Sequence, residues 1–544
     1  MFSKKPTTRE KLSKRNIVIA SVILVVLAFA PSLGLGLDLR HRQLSDDASR
    51  FLLSKNFPIT NTPTTRVYDW ELSQSTISPD GLARPMLLVN GMFPGPLIEA
   101  NTGDRIVVHV TNNMLEGTAI HWHGMHQKGT PWMDGTMGVT QCAIPPGQSM
   151  TYEYTITNQW GTYWWHAHAA SQYVDGIFGP LIVHSPDEPH LNEYHEDIIM
   201  MLQDYYHTAS GTLVTWYHSP ASQGNDPIPD NGLINGRNSF DCSRDAQALF
   251  PTGSECTNGA PLATFNFKAR STYRIRLINT GAFADFQFSI DNHELTVIEA
   301  DGVDMEPVTV QRLPIHVAQR YSVLVHADQA VGNYYVRATM NTKCFFSSNP
   351  ALDPFVKAVI HYTDAPDTQS VNSVDWTDPS MAPFCLDLAL DMLHPYNAQP
   401  APTADVSYLI KFTMKPDNGI MIGYANGASW SPLMTDATLF QSQRGDTRFD
   451  DTQQVVVLND NVIELVLIND DIGAHPFHFH GYTFSVLGWG EGAYIPGSTP
   501  LELDNPLRRD TITIPQNGWT FESLPERIRE FQIPSEITAM CGVK

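Results

Sequence analysis

The chain has 544 residues, enough for roughly three domains, and 42% apolar content, which can supply sizeable cores. Its formal net charge of −23, with no basic stripe in the body, argues against nucleic acid and anionic membrane surfaces as partners. Helix-period patterns are scarce, and 38 prolines and 36 glycines punctuate short Val/Ile/Thr/Tyr-rich runs, which predicts an all-β protein built from sandwiches.

At the N-terminus, Lys4, Lys5, Arg9, Lys11, Lys14 and Arg15 precede an apolar run from Ile17 to Ala30. That length suits a secretory signal, with Ala28-Phe29-Ala30 as a cleavage site, but Pro31 stands where cutting would occur. Continued to Leu37, the segment is long enough to span a bilayer. An uncleaved anchor helix is therefore expected within residues 1–64, its basic flank cytosolic and the body exported. A cleaved signal and a secreted body is the alternative.

Three segments follow. The first, residues 65–185, carries the strand pattern Asp104–Val110 and two histidine pairs, His121-Trp122-His123 and His166-Ala167-His168. The second, 186–365, has strand patterns at Thr272–Ile278 and Tyr321–Val325 but no such pair, so it is expected to act as a spacer. A polar, proline-containing stretch, 366–402, reads as a linker with some local order. The third segment, 403–544, has a strand pattern at Gln454–Leu458 and the run His475-Pro476-Phe477-His478-Phe479-His480. Six cysteines fit an exported protein: Cys242 and Cys256 flank a polar loop they could close, Cys344 and Cys385 could pair across the second boundary, and Cys142 and Cys541 are left over. There is no N-x-S/T sequon.

Alternation on a strand puts residues i and i+2 on one face, so each His-x-His pair presents two imidazoles side by side. Imidazole suits copper, zinc and iron, and three converging pairs make a centre for more than one metal. A zinc hydrolase would need a nearby glutamate base and one compact ligand set, which no motif supplies. His126 lies on the opposite parity from His121 and His123, and His109, His184 and His293 read as surface or packed side chains. His475 is out of phase with His478 and His480 and precedes a proline that bends the chain, so one motif can serve two sites.

These motifs resemble those of the multicopper oxidases, most closely the fungal laccase-like members. The matching stretches are Val89–Pro96, His121–Gly124 with Trp132-Met133-Asp134-Gly135, Gly161–His168, Leu233–Arg237, His475–Gly481 and Asn505–Asp510. The resemblance implies three cupredoxin-like, Greek-key β-sandwich domains and four copper ions, one in a mononuclear type 1 site and three in a cluster that reduces dioxygen to water. It implies type 2 copper ligation by His121 and His478, type 3 ligation by His123, His166, His168 and His480, and type 1 ligation by His475. It makes Asp134 an acid that relays protons at the cluster. The departure is C-terminal. The family's last motif, His-Cys-His with a further histidine, is expected about 20 residues past Arg509, yet no histidine follows His480 and Cys541 has no flanking histidines. The third domain is therefore expected to be incomplete and the type 1 site damaged, as a retained intron or frameshift in the gene would cause. Ferroxidase members carry a glutamate just before an Asp-Gly after the second histidine pair. Val174 precedes Asp175-Gly176 here, which favours small aromatic reductants such as phenols over ferrous iron. A ferroxidase and an inactive copper-binding protein remain the alternatives.

Overall fold

A computed structural model describes residues 50–377, 385–433, 435–445 and 462–524. The chain divides into two units, Met1–Leu52 and Leu53–Lys544, and all the named strands lie in the second. The expected anchor, the strand pattern at Gln454–Leu458 and the tail with Cys541 fall outside the described residues. Among those described, no helix is long and apolar enough to cross a membrane.

The first sandwich contains β1 (Thr65–Ile77), β2 (Arg84–Val89), β3 (Ile98–Asn101), β4 (Arg105–Asn112), β5 (Ile120–His123), β6 (Ser149–Thr155), β7 (Gly161–Ala167) and β8 (Phe178–His184). They form two sheets, β2-β1-β4-β6 and β3-β8-β7-β5. Period-two patterning drives this: Ile106, Val108 and Val110 of β4 and Met150, Tyr152 and Tyr154 of β6 all point into one core.

The middle sandwich has β9 (Glu196–Tyr205), β10 (Asn231–Ile234), β11 (Thr264–Phe267), β12 (Thr272–Asn279), β13 (Phe286–Ile290), β14 (Leu295–Ala300), β15 (Val303–Val310), β16 (Leu313–Ile315), β17 (Arg320–His326), β18 (Asn333–Met340) and β19 (Phe355–Tyr362). Its sheets are β10-β9-β12-β17-β14-β15 and β11-β19-β18-β13-β16. The third has β20 (Val406–Asp417), β21 (Ile420–Ala425), β22 (Ile463–Asn469), β23 (His475–His478), β24 (Phe484–Glu491), β25 (Leu507–Arg509), β26 (Thr511–Ile514) and β27 (Gly518–Leu524), in sheets β21-β20-β22-β27-β24-β25 and β23-β26.

One topology recurs. A parallel pair is followed by an antiparallel partner in β1-β4-β6, β9-β12-β17 and β20-β22-β27. In the first two copies the next strand, β7 or β18, crosses to the facing sheet and pairs with β5 or β13. In the third copy that place in the sequence falls after Leu524, outside the described residues.

The stretch expected as a linker is tied down. Leu388 and Leu393 are buried with the middle core, the Trp376 indole donates to the Ile290 carbonyl at 2.9 Å, and Cys385 is disulfide-bonded to Cys344. Cys242 and Cys256 close the expected loop.

One residue conflicts with the core pattern. On β27, Trp519 and Phe521 pack on one face of the sheet, while Glu522 sits beside Leu465 and Val486, core residues of the other face. It is 1% exposed, its Oε1 has no hydrogen-bond partner, and burial alone pushes its carboxyl up to about 8. The unfolded chain releases this proton near 4.5, so stability is full below that pH and falls as pH rises toward 8. Glu522→Gln is expected to remove most of that slope, recovering on the order of 3 kcal/mol at pH 8, as measured by denaturant unfolding across the range.

Candidate metal centre

β5 and β7 are antiparallel with His121 opposite His166, Trp122 opposite Trp165 and His123 opposite Trp164. Alternation sends Trp122 and Trp165 into the core against Trp70 and leaves His121, His123 and His166 together on the opposite face. His168 lies one residue past β7, where its backbone N–H donates to the Ala119 carbonyl at 2.8 Å. The third sandwich brings His478, on β23, and His480. The Phe479 N–H donates to the Asp510 carbonyl at 3.0 Å and its ring packs on the apolar core, so both imidazoles face the first sandwich.

The six rings form one cluster with an internal symmetry. His121 stacks on His480 with centroids 3.9 Å apart, and His123 stacks on His478 at 3.6 Å. Each pair takes one ring from each sandwich, in reversed order along the chain. His166 lies 5.3 Å from His121, and His168 lies 5.1 Å from His480. Ligand atoms of His121, His123 and His478 all lie within 4.8 Å of one another, as do those of His121, Asp134 and His480.

One carboxylate serves each stacked pair. Asp134 Oδ2 stands 2.9 Å from His480 Nδ1 and accepts from Thr136 Oγ1 at 2.8 Å, and its Oδ1 is 3.3 Å from His121 Nδ1. The turn that places it needs Gly135, at φ +84°, because a Cβ there would stand 1.7 Å from the Ile120 carbonyl oxygen. Asp510 Oδ1 is 3.4 Å from His478 Nδ1 and 3.6 Å from His123 Nε2. Burial opposes charge on both acids, but the facing histidines hold Asp134, and Arg320 holds Asp510, well below the usual carboxylate range.

The donor set fits a metal. His121 Nδ1 donates to the Asp134 carbonyl at 2.7 Å and His478 Nδ1 to the Asp510 carbonyl at 2.8 Å. Each bond fixes the tautomer and leaves Nε2 as a lone-pair donor. Both Nε2 atoms are buried without any partner, a cost that coordination removes. Burial first, and neighbouring imidazoles second, push His121 down to about 4 and His168 to about 3, and set His123, His166 and His478 below 6.5. These five imidazoles are held toward the neutral form, which offers nitrogen lone pairs without first releasing protons.

His475 does not join this group. Its Nε2 is 2.8 Å from Asp471 Oδ2, and among the described residues it belongs to no set of three potential ligands. It borders a cavity of about 570 Å³ with Asp226, Asp285, Phe283, Phe345 and Phe346. His126 bonds Thr483 instead of entering the cluster. His109 is exposed, and His184 and His293 are buried against Glu99 and Tyr362. Val174 packs against Tyr206 and Leu213.

The middle sandwich does more than the spacer role expected of it. Arg320, at the start of β17, grips Asp510 with two hydrogen bonds of 2.6 Å. Glu299 of β14 accepts the Thr162 N–H at 2.6 Å and its hydroxyl at 2.9 Å, fixing β7, the strand of His166. Arg276 donates to the same hydroxyl at 3.1 Å. Sequence reading missed these residues. Asp510 lies inside a motif already recognised, but nothing in the spacing pairs it with an arginine 190 positions earlier.

Models of the family described as multicopper oxidase match residues 71–188, 196–365 and 416–521. The chain belongs to the multicopper oxidases. It is 34% identical over 501 residues to Laccase-1 of Cryptococcus neoformans var. grubii serotype A, covering 87% of this chain and 78% of that protein. It is 35% identical to Laccase-4 of Trametes villosa, covering 82% and 81%. Among solved structures, a laccase from Botrytis aclada has a TM-score of 0.79 at 31% identity over 90% of this chain and 93% of that one. Fet3p, described as a multicopper oxidase that functions in iron import, has a TM-score of 0.74 at 28% identity over 84% and 85%. Membership of this laccase-type family carries copper binding with it, and the described residues bring six imidazoles together in one cluster.

His166→Ala and His480→Ala are expected to weaken copper binding about tenfold or more, while His126→Ala leaves it unchanged, as read by chelator competition. The metal-free protein should also lose stability as pH falls from 6.5 toward 4, because unfolding lets the buried imidazoles take up protons. His121→Leu is expected to reduce that acid slope by on the order of 2–3 kcal/mol in denaturant titrations.

Proposed function

We propose that this chain is a copper-dependent oxidoreductase that takes electrons one at a time from small phenolic or related aromatic reductants, with dioxygen as the acceptor. The six-imidazole cluster carries the reading: two sandwiches deliver six rings to one point, and the Nε2 atoms of His121 and His478 there are buried without a hydrogen-bond partner. Copper bound there supplies one-electron exchange and the reduction of dioxygen to water. The protein's part is to hold six lone pairs in place, exclude bulk water and keep a carboxylate at each stacked pair. His121, His123, His166, His168, His478 and His480 are assigned as the ligands. Asp134 is the proton-handling acid, since its Oδ1 is a buried acceptor with no hydrogen-bond partner while Oδ2 faces His480.

The reductant is assigned to the cavity at His475. Phe283, Phe345 and Phe346 offer aromatic contact, and Asp226 and Asp285 are acceptors for a phenolic hydroxyl. Ferrous iron is disfavoured because the position before Asp175-Gly176 holds a buried valine instead of a carboxylate. His475 is assigned as a type 1 ligand, but among the described residues it joins no set of three potential metal ligands. This favours a second reading for the sequence as written, a copper-binding protein without oxidase activity. The N-terminal apolar segment supports export, by anchoring or by secretion.

The test uses the full-length chain loaded with copper, together with sequencing of the mature transcript over residues 510–544. Oxygen uptake with a phenol, exceeding that with ferrous iron, is the expected result. A transcript that encodes this tail, with no blue absorption and no uptake with either reductant, overturns the oxidase reading for this chain.

A further inference from the structure

The two stacked pairs are alike in their rings and unlike in how their carboxylates are held. Asp134 is steadied by the Thr136 hydroxyl at 2.8 Å. Asp510 receives both arms of the Arg320 guanidinium, at 2.6 and 2.6 Å, and Arg320 is fully buried. A bidentate fork fixes the plane of a carboxylate as well as its position. With Asp510 so fixed, its Oδ1 accepts from Thr511 Oγ1 at 2.9 Å and stands 3.4 Å from His478 and 3.6 Å from His123.

Arg320 is itself fixed from all sides. Its backbone N–H donates to Asp301 Oδ1 at 2.8 Å, and its Nε donates at 3.1 Å to the carbonyl of Thr162 on β7. Asp301 also accepts from Arg509 Nε at 2.8 Å, one residue before Asp510. The space for the fork exists because residue 124, after His123, is glycine: a Cβ there would stand 2.8 Å from Arg320 Nη2 and 2.9 Å from Asp510 Oδ2. One side chain from the middle sandwich thus touches the histidine strand of the first and the carboxylate of the third.

We propose that Arg320 is a positioning residue of the metal centre, setting through Asp510 the contact between His123 and His478. The proposal rests on the copper-ligand reading above. It assigns the middle sandwich a direct part in the geometry of one half of the cluster. The other half, His121 with His480, depends on Asp134.

The full-length, copper-loaded chain is compared with Arg320→Lys, Arg320→Met and Asp510→Asn. Copper affinity is read by chelator competition, the type 2 copper by its electron paramagnetic resonance spectrum, and folding by the unfolding transition. Arg320→Lys keeps the charge and loses the fork. It is expected to unfold cooperatively yet bind copper about ten- to a hundredfold more weakly, with an altered type 2 spectrum, and Asp510→Asn should match it. If Arg320→Met leaves Asp510 unpaired and does not fold, the other two variants carry the test. Unchanged affinity and spectrum in both Arg320→Lys and Asp510→Asn would overturn the positioning role while the ligand assignment stands. If His121→Ala and His478→Ala bind copper as tightly as the unsubstituted chain does, the ligand assignment fails and the positioning role with it.

Discussion

Imidazoles in van der Waals contact can share a site only if nearly all of them are uncharged. Rings at 3.6 and 3.9 Å would repel strongly as cations in a medium where Coulomb energies are large. Burial settles this by penalising the imidazolium form, and it is the leading cause of the lowered proton affinity of His121, His123, His166, His168 and His478. Burying the cluster is therefore what keeps these ring nitrogens available as lone-pair donors. Two sandwiches must close over it, with a third to fix their spacing. The two ionised groups that remain beside the rings, Asp134 and Asp510, carry the opposite sign and accept from N–H and O–H donors.

Much of this is legible in the sequence because strand geometry is local. A period of two decides that His121 and His123 share a face and that Trp122 goes to the other, whatever the rest of the chain does. The same rule separates His475 from His478 and His480, and the structure places it apart, at Asp471. The disulfides of Cys242 with Cys256 and Cys344 with Cys385 were also open to sequence reasoning, since each joins residues flanking a loop or a boundary. The contribution of the middle sandwich was not. Arg320, Asp301 and Glu299 act on strands of other sandwiches, and no periodicity within one segment encodes such a contact. The only local trace is chemical: buried arginines such as Arg274, Arg276 and Arg320 must have buried acidic partners, but which acids they meet is decided by tertiary register.

The repeated topology shows how one sandwich came to differ in role. The strand that holds His121 and His123 in the first copy corresponds to β13 in the second, where Phe286 and Phe288 stand and pack into the core. Both copies pack the inner face of this strand into a core, Ile120 and Trp122 in the first and Phe286 and Phe288 in the second, and the second presents charge at its boundary where the first presents imidazoles. Arg274 and Arg276 lie on β12 and Arg320 on β17, neighbouring strands of one sheet, and all three reach Thr162, Glu299 or Asp510. The absence of a histidine pair there marks a division of labour: two copies supply the clustered imidazoles and one supplies charges that hold their strands.

The same comparison bears on the third copy. In the first two, β7 and β18 both follow the strand that closes the first sheet, and both pair with the strand in the β5 position. In the third copy, β27 closes the corresponding sheet between β22 and β24. Glu522 speaks to how well the sequence suits that place. A carboxyl with no partner, on the face that elsewhere carries Leu465, Val486 and Leu524, is a local choice at odds with the fold around it. Trp519, Phe521 and Leu524 fit the alternation, and Glu522 is the acidic exception on the core face of β27.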